Sequence, residues 1–89
     1  MKSPSILSAQ IRAARALLRW SAEDLARASA LGVNTIRRAE IAENEIALTA
    51  ANSLAVRRAL EAAGVEFIDE NGGGPGVRLR KRQRGKPSK

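Results

Sequence analysis

Histidine, cysteine and tyrosine are absent from this sequence, and tryptophan and phenylalanine occur once each. Without cysteine there is no disulfide and no thiolate metal site. Without histidine the commonest general base and the commonest metal ligand are both missing. No metal or cofactor is expected, and a catalytic site would have to rest on carboxylates, lysine or serine. No acid–base constellation of that kind stands out, so no catalytic residue is assigned. No run approaches the roughly 18 apolar residues of a membrane span, and the first residues lack the apolar core of a signal peptide. The expected setting is a bacterial cytoplasm.

What is present is helix-forming residues and positive charge. A chain of 89 residues is one domain, and one this short gains stability from a second subunit. The net charge of +7 is unevenly placed. Residues 78–89 hold Arg78, Arg80, Lys81, Arg82, Arg84, Lys86 and Lys89 and no acid, whereas residues 1–77 carry nine bases and nine acids. The body is therefore neutral and the end polycationic, a pattern suited to polyanion contact. Residues 82–89 contain Gly85 and Pro87 and no apolar side chain, which predicts a disordered basic tail.

The first segment, Met1–Leu7, reads as a flexible arm with Pro4 breaking any early helix. Ser8 is placed to cap a first helix over about 8–18, with Ile11, Ala14, Leu17 and Leu18 as its apolar stripe. Ser21 and Asp24 have the spacing of a capping box, and Trp20 and Leu25 that of a hydrophobic staple. A second helix follows, with Leu25 and Ala26 inward. It is expected to break at Ala30-Leu31-Gly32, where Gly32 tolerates a non-helical angle. A third helix runs from Val33 to about Ile41 on Ile36 and Ala39, with Val33, Asn34, Thr35, Arg37 and Arg38 on its outer face.

Residues 42–48 read as a loop, and Thr49 caps a fourth helix that ends at Gly64. On a helical projection Ala51, Ala55, Val56, Ala59, Leu60, Ala62 and Ala63 share one side. Leu54 falls among Arg57, Arg58 and Glu61 on the other, where a large apolar residue marks either a candidate interface or a surface that the C-terminal segment folds back over. Val65–Ile68 and Val77–Lys81 read as antiparallel strands joined by the glycine-rich loop between them. Val65 and Phe67 should oppose Val77 and Leu79, with Glu66, Arg78 and Arg80 on the other face. An isolated hairpin is marginal in water, so it must pack on the helices or pair with a second chain through its edge; for the second case Leu54, Phe67, Val77 and Leu79 are the candidate dimer contacts.

The order Ser21-x-x-Asp24-Leu25-Ala26, then Leu31, then Thr35-Ile36-x-Arg38-x-Glu40, resembles the helix-turn-helix of the lambda-repressor/Cro-like (XRE-type) family. Ile11-Arg12-x-x-Arg15 matches the family's preceding helix, and the likeness covers about residues 8–63. It departs from the family at Ala22, where a phosphate-holding glutamine is usual. It departs also at Ala30, where the turn glycine is usual, and at Gly32, where a capping serine is usual. Arg19 stands where the family often has glycine and should be left-handed. The resemblance implies a four- to five-helix lambda-repressor-like DNA-binding domain over 8–64. The whole is then a mostly α fold, with a hairpin over 65–81 and the tail beyond.

By that resemblance the third helix lies in the major groove while the second crosses the backbone. Arg38 would give a bidentate pair of bonds to guanine and Asn34 to adenine, with Val33 on a thymine methyl and Arg37 also reaching bases. Arg12, Ser21, Thr35 and the N–H of Ala22 would position the phosphates. Arg15 and Glu40 would form a structural ion pair between helices. Acidic Glu43 and Glu45 should turn away from DNA. The expected partners are double-stranded DNA and a second copy of the chain. The function implied is a dimeric transcriptional repressor reading an inverted repeat. An antitoxin that represses its own operon, a DNA-bending accessory factor, or a protein-interaction module of the bridging-factor type are the alternatives.

Overall fold

The computed structural model describes residues 6–41, 48–69 and 72–80. Among these, four helices precede one hairpin: α1 (Ser8–Leu18), α2 (Ala22–Ser29), α3 (Val33–Ile41), α4 (Ala50–Ala62), β1 (Val65–Ile68) and β2 (Gly76–Leu79). The expectations for residues 1–5 of the arm, for Glu43 and Glu45 and for the 82–89 tail lie outside the described residues.

α1 begins differently from its sequence-based reading. Leu7 is the N-cap, and its N–H donates to Oε1 of Gln10 at 2.9 Å. Ser8 lies inside the helix, where its hydroxyl donates to the Ala39 carbonyl and ties α1 to α3. Ile6, expected in a loose arm, is only 2 % exposed and belongs to the core. Ile11 and Ala14 are buried as expected, but Leu17 stays exposed.

α1 and α2 end in the same way. At the end of α1 the Trp20 N–H reaches the Arg15 carbonyl at 2.9 Å and the Arg19 N–H the Ala16 carbonyl at 3.2 Å. At the end of α2 the Leu31 N–H reaches Ala26 at 3.0 Å and the Ala30 N–H reaches Arg27 at 3.3 Å. This crossed pair is the Schellman closure, and it needs a left-handed residue in the middle. Arg19 (φ 60°) and Ala30 (φ 62°) supply it, neither of them glycine. The left-handed residue of the α2–α3 turn is thus Ala30 and not Gly32. Gly32 instead offers its carbonyl to the N–H groups of Thr35 and Ile36, starting α3.

The capping box of α2 is formed: Ser21 Oγ accepts from the Asp24 N–H at 3.0 Å, and Asp24 accepts from the Ser21 N–H at 2.9 Å. Thr49 Oγ1 caps α4 through the Asn52 N–H at 3.1 Å. α4 buries Ser53, Val56 and Leu60, a narrower stripe than the alanine-rich side expected, with Ala51 and Ala62 exposed.

The core unites Ile6, Ile11, Leu25, Ile36, Val56, Leu60, Val65 and Phe67, with Ala14, Ala22, Ala26 and Ala39 letting the helices approach. Each large member contributes about 1.5–3 kcal/mol by leaving water. α2 packs on α3 and α4, α1 on α3 and both strands, and α4 on β1. Trp20 and Leu31, one at the close of each Schellman turn, pack on the edge of that core.

The strands are antiparallel in the expected register, Val65 opposite Leu79 and Phe67 opposite Val77. Phe67 is 9 % exposed within its own core, under the Arg57 guanidinium at 5.0 Å from the ring centroid. Val77 packs on the same core. These two candidate dimer contacts are therefore spent within the chain, because the helices cover that face of the hairpin. Leu54 is half-buried, and Leu79 is 48 % exposed.

Candidate nucleic-acid interface

A part-buried ion pair ties α3 to α1. The Arg15 guanidinium donates from Nε and NH2 to the two Glu40 carboxylate oxygens at 2.6 and 2.8 Å, and from NH1 to the Trp20 carbonyl at 2.8 Å. Glu40 is 7 % exposed. The fork geometry fixes both distance and angle between α1 and α3. Glu40 raises the Arg15 pKa further above its ordinary value, chiefly through these hydrogen bonds. Arg12, expected on phosphate, donates from NH1 to the Glu40 carbonyl, a cation at the C-terminal end of α3 where the helix dipole favours it.

With Ile36, Ala39 and Glu40 held inward, the opposite side of α3 faces solvent. Asn34, Arg37 and Arg38 are exposed there, and Asn34 and Arg38 are one turn apart. Arg38 has no partner among the described residues. Arg37 is paired with Glu23 of α2 at 2.7 Å, both about half exposed. Glu23 lies below its ordinary carboxyl pKa, first through its own backbone N–H at the helix start and then through the charge of Arg37. Val33 is half-buried against the core, so only part of its side chain faces outward. Thr35 is half-buried, and its N–H is used by Gly32.

At the start of α2 the Ser21 N–H and hydroxyl are engaged in the capping box. The Ala22 side chain is buried, and its N–H lies among the helix-start groups that lack an intrahelical acceptor. Two acids stand in this first turn. Asp24 is matched by Arg27 at 2.6 Å, and Glu23 by Arg37.

The chain thus brings Asn34, Arg37 and Arg38 together on one exposed surface and sets Arg15 and Glu40 behind it. Ser21 and Arg12 have internal partners. Sequence reasoning did not single out Glu23, Ser8 or Gln10 as partners of distant groups. No local spacing marks them, since their partners lie 14, 31 and 66 residues away. No group of three metal-ligating side chains is found among the described residues, and no described helix is long and apolar enough to cross a membrane.

No family model, no curated protein and no solved structure matches this chain.

Proposed function

We propose that this protein is a sequence-specific double-stranded DNA-binding regulator of transcription that reads base edges in the major groove with α3. The observation that carries this reading is the outer face of α3. Asn34, Arg37 and Arg38 project from a helix whose other side is locked by Ile36, Ala39 and the Glu40–Arg15 pair. Arginine and asparagine are the side chains whose paired donors and acceptors match guanine and adenine edges. A rigid backbone beneath them is what base readout requires. The polycationic run from Arg78 onward adds sequence-independent attraction to phosphate. Arg38 contacts a guanine, Asn34 an adenine, and Arg37 leaves Glu23 for a base or phosphate as DNA docks. Repression by occupancy is the simplest output of a chain built in this way.

The test begins with selection of bound sequences from random duplex DNA. Arg38→Ala and Asn34→Ala should each weaken the selected site by about 1–3 kcal/mol and relax preference at one base position. An Arg38→Ala variant that keeps full affinity and an unchanged sequence preference refutes the assignment. A selected inverted repeat with half-sites about one helical turn apart would report two copies on the site.

A further inference from the structure

Neither strand of the hairpin has a second strand neighbour among the described residues, and the outer edge of β2 lies beside a groove. The Arg80 N–H donates to the Gly64 carbonyl at 2.7 Å, and Glu66 stands opposite Arg78. In an antiparallel pair the bonded positions alternate, so Gly64/Arg80, Glu66/Arg78 and Ile68/Gly76 exchange bonds across the hairpin. Val77 and Leu79 occupy the positions between. Their N–H and C=O groups point away from β1. Beside this edge lies a groove of about 240 Å³ whose walls are Leu7, Ala9 and Ala13 from the α1 side and Pro75, Gly76 and Val77 from the hairpin. Of the strands, only the start of β2 lines it, at Gly76 and Val77. Gln10 also lines it and donates to the Gly76 carbonyl at 3.0 Å.

We infer that the outer edge of β2 binds an extended acidic segment of a partner protein, which adds a third strand to the hairpin. A peptide backbone alone supplies the alternating donors and acceptors that Val77 and Leu79 present, which a nucleic acid does not. The side chains set the sign of the partner. Arg78 and Arg80 are exposed on one face of β2, and Lys81, Arg82 and Arg84 follow in sequence. Arg78 holds Glu66 at 2.9 Å, and Arg80 holds the Glu61 carbonyl at 2.8 Å. Each guanidinium keeps further donors for a carboxylate.

A second copy paired antiparallel about Arg78 or Leu79 would set arginine opposite arginine, which opposes those registers. An added strand with alternating residues would place its apolar side chains over the groove on the Val77 and Leu79 face. Its carboxylates would then lie on the Arg78 and Arg80 face. Among the elements in close packing, α3 touches α1 and α2 and not the hairpin. The strand edge is therefore apart from the α3 face, while its arginines belong to the basic run that the proposed DNA reading also uses; the peptide experiment, done without DNA, tests the edge by itself.

The probe is a labelled hexapeptide alternating glutamate with valine, added to the full chain, with binding read by anisotropy and by amide hydrogen exchange. The peptide should slow exchange at the Val77 and Leu79 amides by about tenfold or more, leaving Arg78, already bonded to β1, unchanged. The same peptide with lysine for glutamate should bind at least about tenfold more weakly. Leu79→Pro removes one outward N–H without touching a bond to β1, and should lose the peptide while the melting temperature holds. Should that variant unfold, the exchange map on the unmodified chain decides. The proposal is overturned if the lysine peptide binds equally well, if protection maps elsewhere, or if no binding occurs at millimolar peptide. Concentration-dependent protection of Val77 and Leu79 without peptide, with a dimer in sedimentation, would assign the edge to a second copy and overturn it too.

Discussion

Replacing Glu40 by alanine strands a guanidinium. Arg15 would lose both carboxylate bonds, at 2.6 and 2.8 Å, and keep only the Trp20 carbonyl at 2.8 Å. Breaking a fully buried pair by removing one partner costs about 3–5 kcal/mol. The Glu40 side chain is 8 % exposed but that of Arg15 is 24 %, so water can reach part of the stranded charge. The expected loss is therefore nearer about 2–3 kcal/mol. For a domain of this size that corresponds to a fall in melting temperature of roughly 10–20 °C, read by circular dichroism.

Loss of DNA binding in the variant should follow the unfolded fraction and disappear on cooling. A double-mutant cycle with Arg15→Met separates the pair from its surroundings. Arg15→Met with Glu40→Leu should recover most of the stability, because no buried charge remains. A Glu40→Ala protein that melts like the parent would refute the structural role. One that stays folded but cannot bind DNA would move Glu40 into the interface.

Three further outcomes follow from other positions. Ala30→Gly removes a left-handed alanine whose side chain is exposed; stability should rise by up to about 1 kcal/mol in denaturant titration, and a loss would contradict the strain assigned to φ 62°. Ser53 Oγ is buried without a hydrogen-bond partner among the described residues, so Ser53→Ala should stabilise by about 1 kcal/mol, checked by calorimetry. Asp24 and Glu66 lie below their ordinary pKa values, Asp24 chiefly through the Ser21 N–H and Glu66 through Arg78. Carboxyls whose pKa falls on folding stabilise above their unfolded value, and that contribution is lost as pH drops through the folded one. The melting temperature should thus hold near neutrality and decline below about pH 4, and Asp24→Asn should lessen the decline. Carboxyl titrations by NMR showing Asp24 at or above its unfolded value would refute the cause.

Local chemistry made much of the helical frame legible. Ser21 with Asp24 and Thr49 before α4 marked helix starts, because a cap needs only its own next turn. The hairpin register followed from alternation of Val65 and Phe67 against Val77 and Leu79. The Arg15–Glu40 pair came from a family likeness rather than from any periodicity, and the geometry bears out the pair itself. What escaped was long-range. Ile6 follows a proline and polar residues, and nothing local announces that the core closes over it. Gly32, expected to break α2, is not left-handed; the Schellman bonds of α2 place that role at Ala30, the position where the family likeness has its turn glycine. Whether Phe67 packs on the helices or on a second copy depends on how the hairpin docks, which no local spacing sets; it lies in the core. In the candidate interface, the composition of the α3 outer face could be read directly. The grip of Glu23 on Arg37 could not, since it depends on how α2 and α3 cross.

The bond between Gln10 and Gly76 also has a meaning in time. Its partners are 66 residues apart, and Val65 and Phe67 complete a core begun by Ile6 and Ile11. Protein synthesis delivers these groups in order. At about 5–20 residues per second, a span of 66 residues leaves about 3–13 s during which α1 exists without β2. α2 and α3 can meet early, since only a short turn separates them. The hairpin side of α1 waits, so this helix, made before α2 and α3, is among the last to be covered. Throughout that interval the nascent chain offers Ile6 and Ile11 to whatever apolar surface it meets, and a chaperone that shields α1 would act there.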